Sequence, residues 1–147
     1  DRLKAINDDL GHKAGDHALL AVGRTLLINV RAIDAVARIG GDEFAVLLPE
    51  TSTAQASALS QRILTEITRQ SDALTGKLGV SIGISELSAT SDLKADDILV
   101  AADAALYQAK TAGGSCAAIA RLDRGGGRTL QRVPAIALES PSGGMNR

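Results

Sequence analysis

The chain has 147 residues, 45% of them hydrophobic, and a formal charge of −1. That length suits one domain with a buried core, and the balanced charge gives no electrostatic reason to expect nucleic-acid or membrane-surface binding. Phe44 and Tyr107 are the only aromatic residues, so the core is to be built from Leu, Ile, Val and Ala.

In chain order, Leu19, Val22, Leu26, Leu27 and Val30 recur at helical spacing and predict a helix from Asp16 to Val30. Two short apolar runs follow, Ala35–Ile39 and Ala45–Leu48, with Gly40-Gly41-Asp42-Glu43-Phe44 between them. Glycines in that position predict a tight hairpin, because glycine takes positive φ without steric penalty. Pro49 ends the second strand. Ala56, Leu59, Ile63 and Ile67 mark a second amphipathic helix, roughly Thr53 to Gln70. Residues 78–85 alternate Leu-Gly-Val-Ser-Ile-Gly-Ile-Ser, which predicts a strand whose small-residue face is closely approached by a ligand or another element. Ile98, Ala102, Ala105 and Ala109 define a third helix, ended by Gly113-Gly114, and Cys116–Ile119 adds a last short strand.

The order helix, hairpin, helix, strand, helix, strand predicts an α+β sandwich with an antiparallel sheet. From Arg124 the composition shifts: Gly125–Gly127, four arginines against one acid, Pro134, Pro141 and Gly143-Gly144 predict a flexible tail or linker over 124–147. The domain proper is therefore 1–123. Cys116, the single cysteine, cannot form an internal disulfide and fits a reducing compartment. No apolar run reaches the ~18 residues that span a bilayer, and no signal peptide is visible. The chain opens at Asp1 in mid-motif and reads as a segment of a longer protein.

Asp42 and Glu43 are the chemically telling residues. Two adjacent carboxylates on a rigid hairpin tip are what Mg²⁺ needs when it is bound beside a phosphate. Five residues alone are a weak signal, and the rest of the pattern makes it specific. Lys4-Ala5-Ile6-Asn7-Asp8, Gly11-His12, Gly15-Asp16, Arg38 to Phe44, Ala102-Asp103 and Ala105 to Lys110 occur in order. Together they resemble the GGDEF family of diguanylate cyclases over roughly Asp1 to Ile119.

The resemblance implies a fold akin to the nucleotidyl-cyclase and polymerase palm, ferredoxin-like, with its first strand missing here. It also implies an enzyme that condenses two GTP, one on each subunit of a homodimer, into cyclic di-GMP with release of pyrophosphate. Mg²⁺, or Mn²⁺ in its place, is the implied cofactor. Asp42 matches the metal-binding, proton-accepting carboxylate and Glu43 the second active-site carboxylate. Lys4 matches a lysine that stabilises phosphate charge in the transition state.

For GTP binding, Asn7 and Asp16 match the pair that reads the guanine edge, and an amide with a carboxylate suits that edge. His12, Arg62 and Lys110 match further substrate contacts. Blander readings stand beside these: a helix N-cap for Asp16, a structural turn for His12, and solvated charges for both lysines and for Arg62. Arg31-Ala-Ile-Asp34 matches the inhibitory site for cyclic di-GMP; alternatively Arg31 complements a helix C-terminus.

Three departures from the family pattern stand out. The strand carrying the other metal-binding Asp would precede Asp1, so the segment by itself is expected to be inactive and poorly folded. Leu3 replaces a usual Phe, and Gly114 a usual Arg. The second reading is therefore a catalytically weakened module that binds GTP or cyclic di-GMP as a regulatory ligand. The expected setting is cytoplasmic, including the cytoplasmic part of a membrane-attached protein, with fused sensory or phosphodiesterase domains and no nucleic-acid partner.

Overall fold

The computed structural model describes residues 2–74, 78–86, 94–122 and 128–133. Four helices and five strands follow in the order α1 (Leu3–Leu10), α2 (His12–Asn29), β1 (Ala35–Arg38), β2 (Phe44–Leu47), α3 (Thr53–Leu74), β3 (Ile82–Ser85), α4 (Ala95–Thr111), β4 (Ala117–Leu122) and β5 (Arg128–Arg132). β1 and β2 form an antiparallel hairpin, and β3-β4-β5 form a second, mixed sheet. The α+β class is the expected one. α1 is additional, and α2 starts four residues earlier than the apolar periodicity indicates. Both lie where charged and small residues hide the helical pattern, and Ile6 alone anchors α1 as a fully buried side chain.

The helices start and stop for local reasons. Ser52 caps α3: the Gln55 side chain accepts the Ser52 N–H at 2.9 Å, and the Ser52 hydroxyl oxygen accepts the Gln55 N–H at 3.3 Å. This is a capping box, in which two otherwise orphaned donors are satisfied reciprocally. Asp96 and Asp97 open α4 and Lys110 lies in its last turn, each charge complementing the helix dipole. Gly113 and Gly114 end it at φ of 111° and 72°. The N–H of Gly114 reaches back to the Ala109 carbonyl at 3.1 Å, so the terminator works as the sequence predicts.

Packing builds two faces on the larger sheet. Cys116, Ala118 and Ala120 of the β4 segment meet Ala101, Ala105 and Ala109 of α4. Ala117 and Ile119, on the opposite face, pack with Ile84, Val133, Ala56 and Leu64 on the α3 side. Both faces of β4 are thus buried, as its unbroken small-apolar run requires. A third cluster joins Val22 and Leu26 of α2 to Ile63 and Ile67 of α3, with Val36, Phe44 and Val46 of the hairpin against it. The hairpin therefore sits on α2 and α3 through one face and leaves its tip outside.

β3 and β4 pair in parallel, Ile82 with Ala117 and Ser85 with Ala120, because α4 intervenes as a crossover. The sequence predicts an antiparallel sheet throughout, and alternation cannot specify strand direction. Of the expected strand 78–85, β3 covers 82–85, and Leu78 and Val80 join the cluster of α2, α3 and the hairpin. The close approach expected on the small-residue face is made by α4. A Cβ on Gly83 would lie 2.1 Å from the Ala102 carbonyl oxygen and 2.5 Å from the Leu106 nitrogen.

The segment from Arg124 is not all tail. Arg128–Arg132 pair antiparallel with β4, and Val133 is buried with its N–H on the Ala117 carbonyl at 2.9 Å. The strand itself is exposed along its length and shows no apolar alternation, so ladder bonds and the single Val133 anchor hold it. Composition could not find it. The rest of the predicted tail, 124–127 and 134–147, lies outside the described residues, as does Asp1.

Candidate functional site

The hairpin tip is a five-residue loop, 39–43, closed by backbone bonds from Ile39 N–H and Gly40 N–H to the Glu43 carbonyl at 2.9 and 3.3 Å. The last ladder pair below it is Arg38 with Phe44. Arg38 folds over the loop, its Nε and Nη2 donating to the Gly40 and Gly41 carbonyls at 3.3 and 2.5 Å. The expected two-glycine turn with positive φ is not formed; among the described glycines positive φ occurs at Gly11, Gly113 and Gly114. Gly40 serves a different need. Its missing Cβ leaves room for the Glu43 carboxylate, which a Cβ there would meet at 2.8 Å.

Asp42 and Glu43 are both exposed, and neither carboxylate has a hydrogen-bond or ion-pair partner among the described residues. Two free carboxylates on a loop braced by Arg38 match Mg²⁺, which keeps several waters and takes one or two carboxylates plus substrate phosphate oxygens. No group of three or more His, Cys, Asp or Glu residues that could hold a metal occurs among the described residues. The donor set fits a metal completed by substrate rather than a closed protein cage.

Asn7 and Asp16 approach one another through the α1–α2 contact. The Asn7 side chain lies over Gly15, where a Cβ would fall 1.9 Å from Asn7 Oδ1. That oxygen is buried and has no protein partner among the described residues. Asp16, next to Gly15, is exposed in the second turn of α2, so the N-cap reading fails; Gly11 precedes the helix instead. His12 is the exposed first residue of α2. Lys4 is exposed on α1 and Lys110 on the last turn of α4, and neither pairs with a carboxylate among the described residues.

Arg62 is placed elsewhere. Its Nε donates to Asn29 Oδ1 at 2.7 Å and its Nη2 to the Asn29 carbonyl at 2.8 Å. The cation at the C-terminus of α2 is therefore Arg62 and not Arg31. It stands beside an open groove of about 640 Å³ between α2 and α3, lined by Thr25, Asn29, Gln61, Arg62, Glu66 and Gln70 among others. Neither Asp42 nor Glu43 lines this groove.

Arg31 and Asp34 form a closed turn just before β1. Asp34 accepts from the Arg31 backbone N–H at 2.7 Å, from Nε at 3.2 Å and from Nη2 at 2.9 Å. The Asp34 side chain is 2% exposed while that of Arg31 is 52% exposed. Arg31 Nη2 also donates to the Pro49 carbonyl at 2.9 Å and to Thr51 Oγ1 at 2.6 Å. Sequence reasoning missed Pro49, Thr51 and Asn29 as partners of these arginines; their distance along the chain leaves no local signal.

The Arg31 hydrogen bond holds Asp34 below the usual carboxylate range, against the opposing effect of desolvation. A carboxylate lowered in the folded state stabilises above its unfolded-state pKa, and this contribution is lost as pH falls through the lowered value. The pair is thus formed at neutral pH and opens only in acid.

The profile described as "Diguanylate cyclase, GGDEF domain" matches residues 1–116. The chain is 36% identical over 115 residues to the bifunctional diguanylate cyclase/cyclic di-GMP phosphodiesterase MucR of Pseudomonas aeruginosa, covering 77% of this chain and 17% of that one. It is 37% identical to a solved GGDEF domain of YfiN from the same organism, with a TM-score of 0.71 and coverage of 84% and 73%. The GGDEF domain of DgcB from Caulobacter crescentus, solved in complex with c-di-GMP, aligns with a TM-score of 0.68 at 27% identity, over 78% of this chain and 70% of that one. The chain belongs to the GGDEF family of diguanylate cyclases. It spans between 10% and 38% of the length of the first curated relatives it matches.

Proposed function

We propose that this domain condenses two GTP molecules into cyclic di-GMP and pyrophosphate, and that cyclic di-GMP restrains it at Arg31–Asp34. The observation that carries the reading is the pair of free carboxylates, Asp42 and Glu43, on the braced hairpin tip of a GGDEF domain. Mg²⁺ bound there would neutralise phosphate charge and lower the pKa of the attacking 3′-hydroxyl. Asp42 would hold the metal and accept the hydroxyl proton, and Glu43, seated against Gly40, would add the second active-site carboxylate. Lys4 and Lys110 offset charge on the phosphates. Asn7 and Asp16 form the guanine-reading pair, with the exposed Asp16 carboxylate offering the guanine N–H groups an acceptor; His12 flanks them.

Each product molecule needs two phosphodiester bonds made in opposite sense, so two copies of the domain must face one another with one GTP each. GTP supply and the free, buried Cys116 thiol both suit the cytoplasm. No helix among the described residues is long and apolar enough to cross a membrane. Incubating the full-length protein with GTP and Mg²⁺ should yield cyclic di-GMP and pyrophosphate, with loss of both on adding EDTA. GTP left intact under those conditions would refute the enzymatic reading.

In this scheme Arg62 serves the inhibitory site rather than the GTP site. It bonds to Asn29, which lies two residues before Arg31 in the chain, and lines the α2–α3 groove, so a cyclic dinucleotide has a second guanidinium to bind. Calorimetry is expected to show cyclic di-GMP binding to the wild-type protein and a loss of at least tenfold in Arg31→Ala, with GTP turnover in the absence of product nearly unchanged. Equal affinity in both proteins would reduce Arg31–Asp34 to a structural ion pair. The weakened-module reading draws on Leu3 and Gly114 alone, and it is the less supported of the two.

A further inference from the structure

We propose that Thr51 is a positioning residue for the Arg31 site, its hydroxyl competing with a bound ligand for the Arg31 guanidinium. The proposal rests on the reading of Arg31–Asp34 as a cyclic di-GMP site and concerns what limits its affinity.

Arg31 has a limited set of hydrogens to give. Nε carries one, and Asp34 takes it. Nη2 carries two, but three acceptors lie within reach: Asp34 Oδ1 at 2.9 Å, the Pro49 carbonyl at 2.9 Å and Thr51 Oγ1 at 2.6 Å. Nη1 has no acceptor among the described residues. A phosphate, or the O6/N7 edge of guanine, takes two parallel N–H bonds from a guanidinium. With Nε committed to the buried Asp34 carboxylate, the edge left for such a ligand is Nη1 with Nη2. Half of that edge is already occupied.

Of the three acceptors on Nη2, Thr51 holds the shortest bond, and its own hydroxyl donates to the Pro49 carbonyl at 3.0 Å, tying both acceptors into one unit. Asp34 fixes the guanidinium plane without them, through Nε, Nη2 and the backbone N–H of Arg31. Loss of the Thr51 hydroxyl therefore removes the shorter of the two bonds on the outer Nη2 hydrogen, leaving a ligand only the Pro49 carbonyl to displace, without releasing the side chain. The contact also has a mechanical meaning. Arg31 precedes β1 while Pro49 and Thr51 follow β2, so the bonds between them close the base of the hairpin whose tip carries Asp42 and Glu43. A ligand that strips Nη2 from Thr51 opens that base. By linkage, anything that weakens the base favours the ligand to the same degree.

The experiment compares cyclic di-GMP binding by calorimetry in the full-length protein with wild-type sequence, Thr51→Val, Thr51→Ser and Arg31→Ala. Valine keeps the shape of threonine and removes the hydroxyl; serine keeps the hydroxyl. Thr51→Val is expected to bind about threefold or more tightly than wild type, the fold-change of one net hydrogen bond. Thr51→Ser is expected to match wild type. A Thr51→Val protein that binds equally or more weakly, while Arg31→Ala loses binding, overturns the proposal and leaves the site itself standing. Thr51→Ser behaving like Thr51→Val also overturns it, since the hydroxyl would then be immaterial. Binding unaffected by Arg31→Ala removes the site and this proposal together.

Discussion

Asp42→Ala is expected to abolish cyclic di-GMP synthesis and leave the domain folded. The side chain is exposed on the hairpin tip and bonds to nothing among the described residues, so its removal touches no packing. Surface substitutions of that kind usually change stability by about 0.5 kcal/mol or less. The tip itself is held by other groups, the Glu43 carbonyl and the Arg38 side chain, which the substitution leaves in place. Chemistry is another matter. A carboxylate that holds the metal and takes the hydroxyl proton acts where charge develops in the transition state. Losing such a group costs on the order of a few kcal/mol, a hundredfold or more in rate. The measurements are product formation from GTP and Mg²⁺ alongside a thermal melt of the same sample. Turnover above a tenth of wild type would remove Asp42 from the metal site. A collapsed melting transition would show instead that the tip is structural.

Gly83→Ala should do the reverse, destabilising the fold without touching the site. The new Cβ would fall 2.1 Å from the Ala102 oxygen and 2.5 Å from the Leu106 nitrogen, and 2.9 Å from the Leu106 Cβ. The first two are backbone atoms in the middle of α4, so no rotamer change relieves the contact. The whole helix must back away from β3, which opens the seam where Ala101, Ala105 and Ala109 meet β4. Overpacking of a core costs about 1–3 kcal/mol and occasionally more, and a clash with helix backbone belongs at the upper end. A loss of roughly 3 kcal/mol lowers the melting temperature of a domain this size by about 10 °C. Gly41→Ala is the control, since its Cβ would meet nothing within 4 Å and its φ is not positive. Circular dichroism melts of the two variants should separate clearly. A Gly83→Ala protein melting within 2 °C of wild type would show that α4 does not rest on β3 as described.

The two glycines illustrate how differently one residue type carries information. Gly83 lies in a run with small residues on alternate positions, and that pattern announces a close neighbour without saying which. Gly40 lies in a sequence that invites a tight turn, yet its backbone is unexceptional and its use is the room it leaves for Glu43. Gly15 lies inside a helix, where glycine is unfavourable by about 1 kcal/mol relative to alanine; the Asn7 amide above it explains the choice. In each case the residue type signals a constraint and the tertiary neighbour defines it.

The elements with strong periodicity were legible in the sequence: the body of α2, α3 from Thr53, α4 with its glycine terminator, and the hairpin up to Pro49. So were the class of fold and the carboxylates at the tip, because a local pattern of side chains determines local backbone and exposure. Strand direction was not legible, since alternation is the same for parallel and antiparallel pairing, and α4 as a crossover decides it. β5 was not legible because its bonds are backbone ladder bonds and its one buried anchor, Val133, lies beyond it. Nor were the partners of the arginines. Arg31 and Asp34 are three apart and announce one another, but Thr51 is 20 residues from Arg31, and Asn29 is 33 from Arg62. Hydrogen bonds across such separations depend on where helices and strands pack, which the chain settles only once its core has closed.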